Sequence, residues 1–180
     1  MSQSIEEITR DLALSCIKEK FSTKTEPTKN HLDIFFPEER QIHSVIQGVL
    51  TSWGTKVWEN LAANLAERNG FEVCPKLEFN KNVPVLDPQV EKYILKVQSE
   101  ISELKINFEE AIKSLKEFIL SNDFSNDQRR RIKKGTGIDL WLKKNSVEII
   151  TDIKSPQENV GNFNKLTSHM LYWGAYRLVD

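Results

Sequence analysis

One stretch limits what this chain can fold into more than any other: GTGIDLWLKKNSVEIITDIKSPQ, residues 135–157. Two runs, 138–143 and 147–153, are rich in β-branched, aromatic and aliphatic residues, and Asn145 and Ser146 lie between them. That pattern predicts a β-hairpin with a two-residue turn. With that turn, Asp139 faces Asp152, Trp141 faces Ile150 and Lys143 faces Glu148. Side chains alternate along a strand, so Ile138, Leu140 and Leu142 form the other face with Ile153, Thr151 and Ile149, and that face is expected in the core. Lys154 shares the face of Asp152. Two acids and a lysine are thereby gathered on one surface, the acid Cβ atoms roughly 5 Å apart.

Carboxylates that close repel one another unless a proton or cation intervenes. A hard divalent ion is a natural remedy: Mg²⁺ takes one or two carboxylates, keeps several waters and leaves room for phosphate oxygens. A neighbouring lysine adds a point charge that holds a phosphate or helps deprotonate a water. The constellation fits metal-assisted hydrolysis of a phosphodiester. A solvent-exposed hairpin face, with a Lys143–Glu148 pair and two unpaired acids, is the other reading of the same residues. Against it stands the cost of placing like charges directly opposite.

Asp139 followed by Asp152-Ile153-Lys154 resembles the D…(D/E)xK core of the PD-(D/E)xK nuclease superfamily. GTGIDLW, then TDIKSPQENVGNFNK, then MLYWGAYRL are together similar to a family of type II restriction endonucleases. Glu59 in GTKVWENLAANLA resembles an acid on an early helix that several members place beside the metal. The similarity covers 54–69 and 134–178 and is weaker between them. Ile138 stands where the superfamily name has proline. The fold usually continues with another strand after the last helix, whereas this chain stops at Asp180, so a fragment and a compact variant both stay open.

The resemblance implies an α/β (α+β) fold: a restriction-endonuclease-like core with a mixed sheet flanked by helices, a helical N-terminal half, and one nuclease domain over residues 1–180. It implies Mg²⁺-dependent hydrolysis of double-stranded DNA at a short specific site. Asp139 and Asp152 would bind the metal, and Glu59 would support it directly or through water. Lys154 would position or activate the attacking water, or stabilise developing charge. The loop carrying Ser155, Gln157 and Asn159 would face DNA. A homodimer is expected, because palindromic sites are read by two-fold symmetric pairs. GGNCC-like sites are the expectation carried over from relatives. Two alternatives remain: another nuclease with the same core, acting in repair or recombination, and a non-catalytic helical DNA-binding or interaction protein.

The chain has 25 Lys and Arg against 26 Asp and Glu, so it is no polycation. A nucleic-acid role must rest on a local basic patch. The candidate is Arg129, Arg130, Arg131, Lys133 and Lys134, immediately before the hairpin. Such runs are usually a solvated face, but this one precedes Asp139 closely enough to meet phosphates there, which would hold DNA without reading its sequence. Cys16 and Cys74 lie far apart without CxxC spacing, which suggests a reducing compartment. Residues 1–10 are acidic and polar and do not read as a signal peptide. No apolar run approaches a membrane span, so a cytosolic (cytoplasmic) protein is expected. His31, His43 and His169 are scattered, and no GxSxG, phosphate-binding loop or Rossmann glycine motif is present.

Other elements are expected as follows. Ser4 and Glu7 form a capping box for a helix to about Phe21. Residues 23–30 form a polar loop, and 34–36 an extended segment before Pro37. Pro37 opens a helix to about Leu50. A helix over 53–69 carries a stripe of Trp53, Val57, Leu61 and Leu65, widened by Trp58, Ala62 and Ala66, with Gly70 as C-cap. Residues 71–79 read as an edge strand interrupted at Pro75. A long helical segment, 88–121, has a heptad seam from Val90 to Phe118, unless Asn107, followed by Glu109 and Glu110, caps a second helix. A last helix over 163–178 has Phe163, Leu166, Met170, Trp173 and Leu178 as core candidates.

Overall fold

The computed structural model of the chain describes residues 4–22, 37–124, 127–153 and 160–180. The expected loop over 23–30, the segment over 34–36, His31, Lys154, Ser155, Gln157 and Asn159 lie outside the described residues. Contacts divide the chain into two units, Met1–Cys74 with Asp139–Ser155, and Pro75–Ile138 with Pro156–Asp180.

In the first unit, helix α1 (Ile5–Ser22) starts at its capping box. The Glu7 N–H donates to Ser4 Oγ at 3.1 Å and the Ser4 N–H to Glu7 Oε2 at 2.8 Å. Helix α2 (Pro37–Trp53) does not stop near Leu50. It runs through a π-helical turn, Gly54–Trp58, into α3 (Glu59–Arg68). A π turn takes up one residue more than an α turn and so rotates the following side chains. The expected stripe is broken accordingly: Val57 is fully buried, Trp58 is 49% exposed, and no residue of α3 is buried. Lys56 of the π turn pairs with Glu19 of α1.

Helix α3 ends as its glycine requires. Gly70 has φ +77° and donates to Glu67 O at 2.9 Å, and the Phe71 N–H reaches Ala66 O at 3.0 Å. That is a Schellman motif. It turns the chain into strand β1 (Glu72–Cys74), the edge of a three-stranded sheet ordered β1-β4-β5, with β4 at Leu140–Lys144 and β5 at Val147–Thr151. The hairpin register is as expected: Leu140 pairs with Thr151, Trp141 with Ile150 and Lys143 with Glu148. Asn145 in the turn adopts φ +56°. The sheet expected to be mixed is antiparallel in every described pairing; a two-residue turn permits nothing else between β4 and β5. As the central strand, β4 is covered on both faces, with Leu140, Trp141 and Leu142 all buried. Ile149 opposite Leu142 is 38% exposed, so that face draws its core from β4.

The second unit departs further from expectation. After Pro75 the chain forms a short helix α4 (Lys76–Lys81) with Phe79 buried, where a strand was expected. Strand β2 (Val83–Pro84) pairs antiparallel with β3 (Arg129–Arg130). The long helical segment is two helices, α5 (Pro88–Ser102) and α6 (Phe108–Leu120). Leu104 takes φ +57° while the Leu104 and Lys105 N–H groups close onto Ile101 O and Glu100 O. Asn107 and Glu110 then exchange side-chain and backbone hydrogen bonds as a capping box, each at 2.9 Å. The heptad positions Val90, Ile94, Val97, Ala111 and Leu115 are buried across this helical hairpin, and Tyr93 stacks on Phe118 at 4.1 Å.

Helix α7 (Val160–Val179) packs on α5 and α6. Of its five expected core residues only Trp173 is buried; Phe163 is 57% exposed. The buried row is Thr167, Leu171 and Ala175, joined by Tyr176. Spacing of four with small residues allows close approach, and a Cβ on Gly174 would lie 3.8 Å from Ile112.

The broken helix is directly testable. A non-glycine residue in the left-handed region costs about 1–2 kcal/mol, so Leu104→Gly should raise stability by up to about 1 kcal/mol in urea denaturation, whereas glycine inside one continuous helix would lower it by about 1 kcal/mol. Asn107→Ala should cost about 1 kcal/mol as a lost cap.

Candidate active site

The acids predicted to face each other stand where the ladder ends. Regular pairing stops at Leu140 and Thr151. One step further, the Asp139 N–H donates to Thr151 O at 3.0 Å, a one-residue departure from the register. The Ile153 N–H donates to Asp139 Oδ2 at 2.9 Å. The carboxylate of Asp139 is therefore aimed at the backbone immediately after Asp152, and both acids are half-buried. Offsets of this kind re-aim a side chain at the end of a ladder.

The segment that delivers Asp139 is held from the second unit's own sequence. Asn80 uses both ends of its amide on Ile138: Nδ2 donates to Ile138 O at 3.2 Å, and the Ile138 N–H donates to Oδ1 at 3.0 Å. The Ile132 N–H donates to Asn80 O at 2.9 Å. Gly137 is required there, because a Cβ would lie 2.7 Å from Asn80 Oδ1. Sequence reasoning missed Asn80; one asparagine in Phe79-Asn80-Lys81 carries no local signal for a bond 58 residues away.

Trp141 ties together one face of the hairpin. Its indole N–H donates to Glu148 at 2.5 Å and Lys143 Nζ lies 4.4 Å from the ring centroid. Glu59 opens α3 directly after the π turn and is half-buried. Among the described residues no three His, Cys, Asp or Glu side chains gather closely enough to hold a metal, so Glu59 does not complete such a group with Asp139 and Asp152. The two aspartates offer hard oxygen donors, one or two of which suffice for Mg²⁺. A carboxylate has about four lone-pair sites, so the Ile153 N–H on Asp139 is compatible with an ion. Lys154 follows Ile153 outside the described residues.

The basic run belongs to the second unit and is divided in its duties. Arg129 pairs with Asp180 at 2.7 Å, and Arg130 with Glu91 at 3.0 Å and the Tyr176 hydroxyl oxygen at 3.4 Å. Burial works against the Arg130 charge, but hydrogen bonds to Tyr176 and Glu91 outweigh it and raise its pKa. Arg131, Lys133 and Lys134 carry exposed side chains. Ile132 between them is buried and anchors the run.

Among the described residues no helix is long and apolar enough to cross a membrane. A family model described as "Type II restriction endonuclease, HinfI" matches residues 1–179. No curated protein and no solved structure matches the chain.

The Asn80 clamp predicts non-additive energetics. Asn80→Ala leaves a part-buried N–H and C=O without their partner and should cost about 1–3 kcal/mol. Gly137→Ala should destabilise through its contact with Asn80. The double variant should cost clearly less than the two singles together in denaturant titrations, since the clash needs Asn80.

Proposed function

The chain belongs to the HinfI family of type II restriction endonucleases, and on that premise we propose that Asp139, Asp152 and Lys154 form its cleavage centre. The enzyme is an endodeoxyribonuclease and its substrate is DNA. The observation that supports the assignment of the centre is the Asp139 carboxylate on the Ile153 N–H, which brings it to the backbone that follows Asp152 at the end of the hairpin.

The class generally uses a divalent metal, and Mg²⁺ is the ion proposed here. Asp139 and Asp152 would hold it, with Glu59 acting through water. When bound, the ion supplies charge to the scissile phosphate and acidity to a water. Lys154, two residues after Asp152, orients the attacking water or balances charge that develops on the phosphate. Water adds at phosphorus, one P–O ester bond breaks, and the departing oxygen takes a proton. Arg131, Lys133 and Lys134 would meet DNA phosphates, with Arg129 and Arg130 joining only where DNA displaces their carboxylate partners. Ser155, Gln157 and Asn159 would face the bases or backbone. The proposed enzyme is a cytoplasmic homodimer, one nuclease domain per chain, acting on a short site in duplex DNA.

The test is a plasmid carrying GGNCC among other short sites, incubated with protein and Mg²⁺, then end-sequenced. Ends sharing one short sequence are expected. Ends without common sequence would instead fit a repair-type nuclease, and an uncut plasmid would end the reading. Chelation by EDTA should abolish cutting and added Mg²⁺ restore it. Asp139→Ala and Lys154→Ala should each lower the cleavage rate by at least roughly 10²–10³-fold while retaining DNA binding in gel shifts.

A further inference from the structure

The second unit holds a cavity of about 420 Å³ that the cleavage chemistry does not use. One wall is cationic, made by Arg130, Arg131 and Lys133, and another is aromatic, made by His169, Tyr172 and Trp173 of α7. Its parts are pre-positioned. The Trp173 indole N–H donates to Thr136 O at 2.9 Å, which fixes the ring, and His169 lies 6.0 Å from it centroid to centroid. Glu91, the acid in the lining, is spoken for by Arg130, which also donates to the Tyr176 hydroxyl. Arg131 and Lys133 are exposed. Burial, then the charge of Glu91, raises the Tyr172 pKa, so its hydroxyl stays a neutral donor through physiological pH.

Phosphates on the outside of a duplex need exposed cations and no aromatic recess. Aromatic rings beside cations in a concavity suit a base that has left the stack, with its phosphate. The volume lies toward the small end of ligand pockets, as one nucleotide requires. We propose that this cavity binds a single 5′-phosphorylated nucleoside, its base against the α7 aromatics and its phosphate on Arg131 and Lys133. Its source is an unpaired nucleotide of the DNA substrate or a free mononucleotide; the first rests on the DNA-cleaving reading above.

The experiment uses the full chain carrying Asp139→Ala, so that binding is read without cleavage. Deoxynucleoside monophosphates are titrated by calorimetry against inorganic phosphate. Saturable mononucleotide binding, tighter than phosphate and weakened roughly tenfold by Arg131→Gln or Tyr172→Ala, is expected. Duplexes carrying 2-aminopurine within the cleaved site then separate the sources. A fluorescence rise on binding, lost with Tyr172→Ala, assigns the DNA nucleotide; mononucleotide binding without that rise assigns a free ligand. Mononucleotides that bind no better than phosphate, or equally well to the folded Arg131→Gln protein, overturn the proposal. Cleavage of plasmid by the unmodified chain is scored separately: cutting without nucleotide binding sinks only the cavity, and nucleotide binding without cutting sinks only the nuclease reading.

Discussion

The two-residue turn at Asn145 and Ser146 is the constraint on which the proposed chemistry depends. It sets the β4–β5 register, and a slip of one residue would send every side chain of a strand to the opposite face. With the register as it stands, Trp141, Lys143 and Glu148 follow one another along a single face, and the two aspartates stand just beyond its end. The last step is not regular pairing. The N–H of Ile153 goes to the Asp139 carboxylate, and Ile138 takes its hydrogen bonds from Asn80. Backbone groups that a longer ladder would have consumed are thus satisfied by side chains, and one of those side chains is the candidate catalytic acid. The energy of each bond is modest, on the order of 1 kcal/mol, but a buried group left without its partner costs more, which holds the arrangement to one solution.

Charge is used twice in the basic run. Arg129 and Arg130 sit in a two-stranded ribbon and pair with Asp180 and Glu91. These pairs are about a third or more exposed, and such pairs contribute about 0–1 kcal/mol. They are weak enough to be exchanged for phosphates at little cost. Buried Ile132 keeps the run in place while Arg131 and Lys133 point their charge to solvent and to the aromatic recess under α7. A nearly neutral chain can in this way present a local cationic surface.

The helices make a related point about phase. Capping signals, Pro37 and apolar spacing together located the long helices among the described residues, yet spacing misplaced buried faces where the backbone left the regular α repeat or a partner selected another side. The π turn before Glu59 exposes Trp58. The left-handed Leu104 and the Asn107 cap convert the heptad seam of one expected long helix into a hairpin buried within its own unit. On α7 the packed side runs through Thr167, Leu171 and Ala175 because α5 and α6 approach there, and large residues such as Phe163 are left outside.

What the sequence determined by itself was local: caps at Ser4 and Gly70, the hairpin with its register, and the acid–acid–lysine order, all encoded within a few residues of one another, whereas a cap at Asn107 was legible only as the alternative to one long helix. Their signals are turn chemistry and a period of two, which need no distant partner. Only the tertiary structure decided that Asn80 holds the approach to Asp139, that Gly137 must lack a side chain, which cations of the basic run are tied down, and that α7 closes a cationic and aromatic cavity. Each of those depends on groups brought together from tens of residues apart, where packing and hydrogen-bond satisfaction choose among faces that the amino-acid order leaves equivalent.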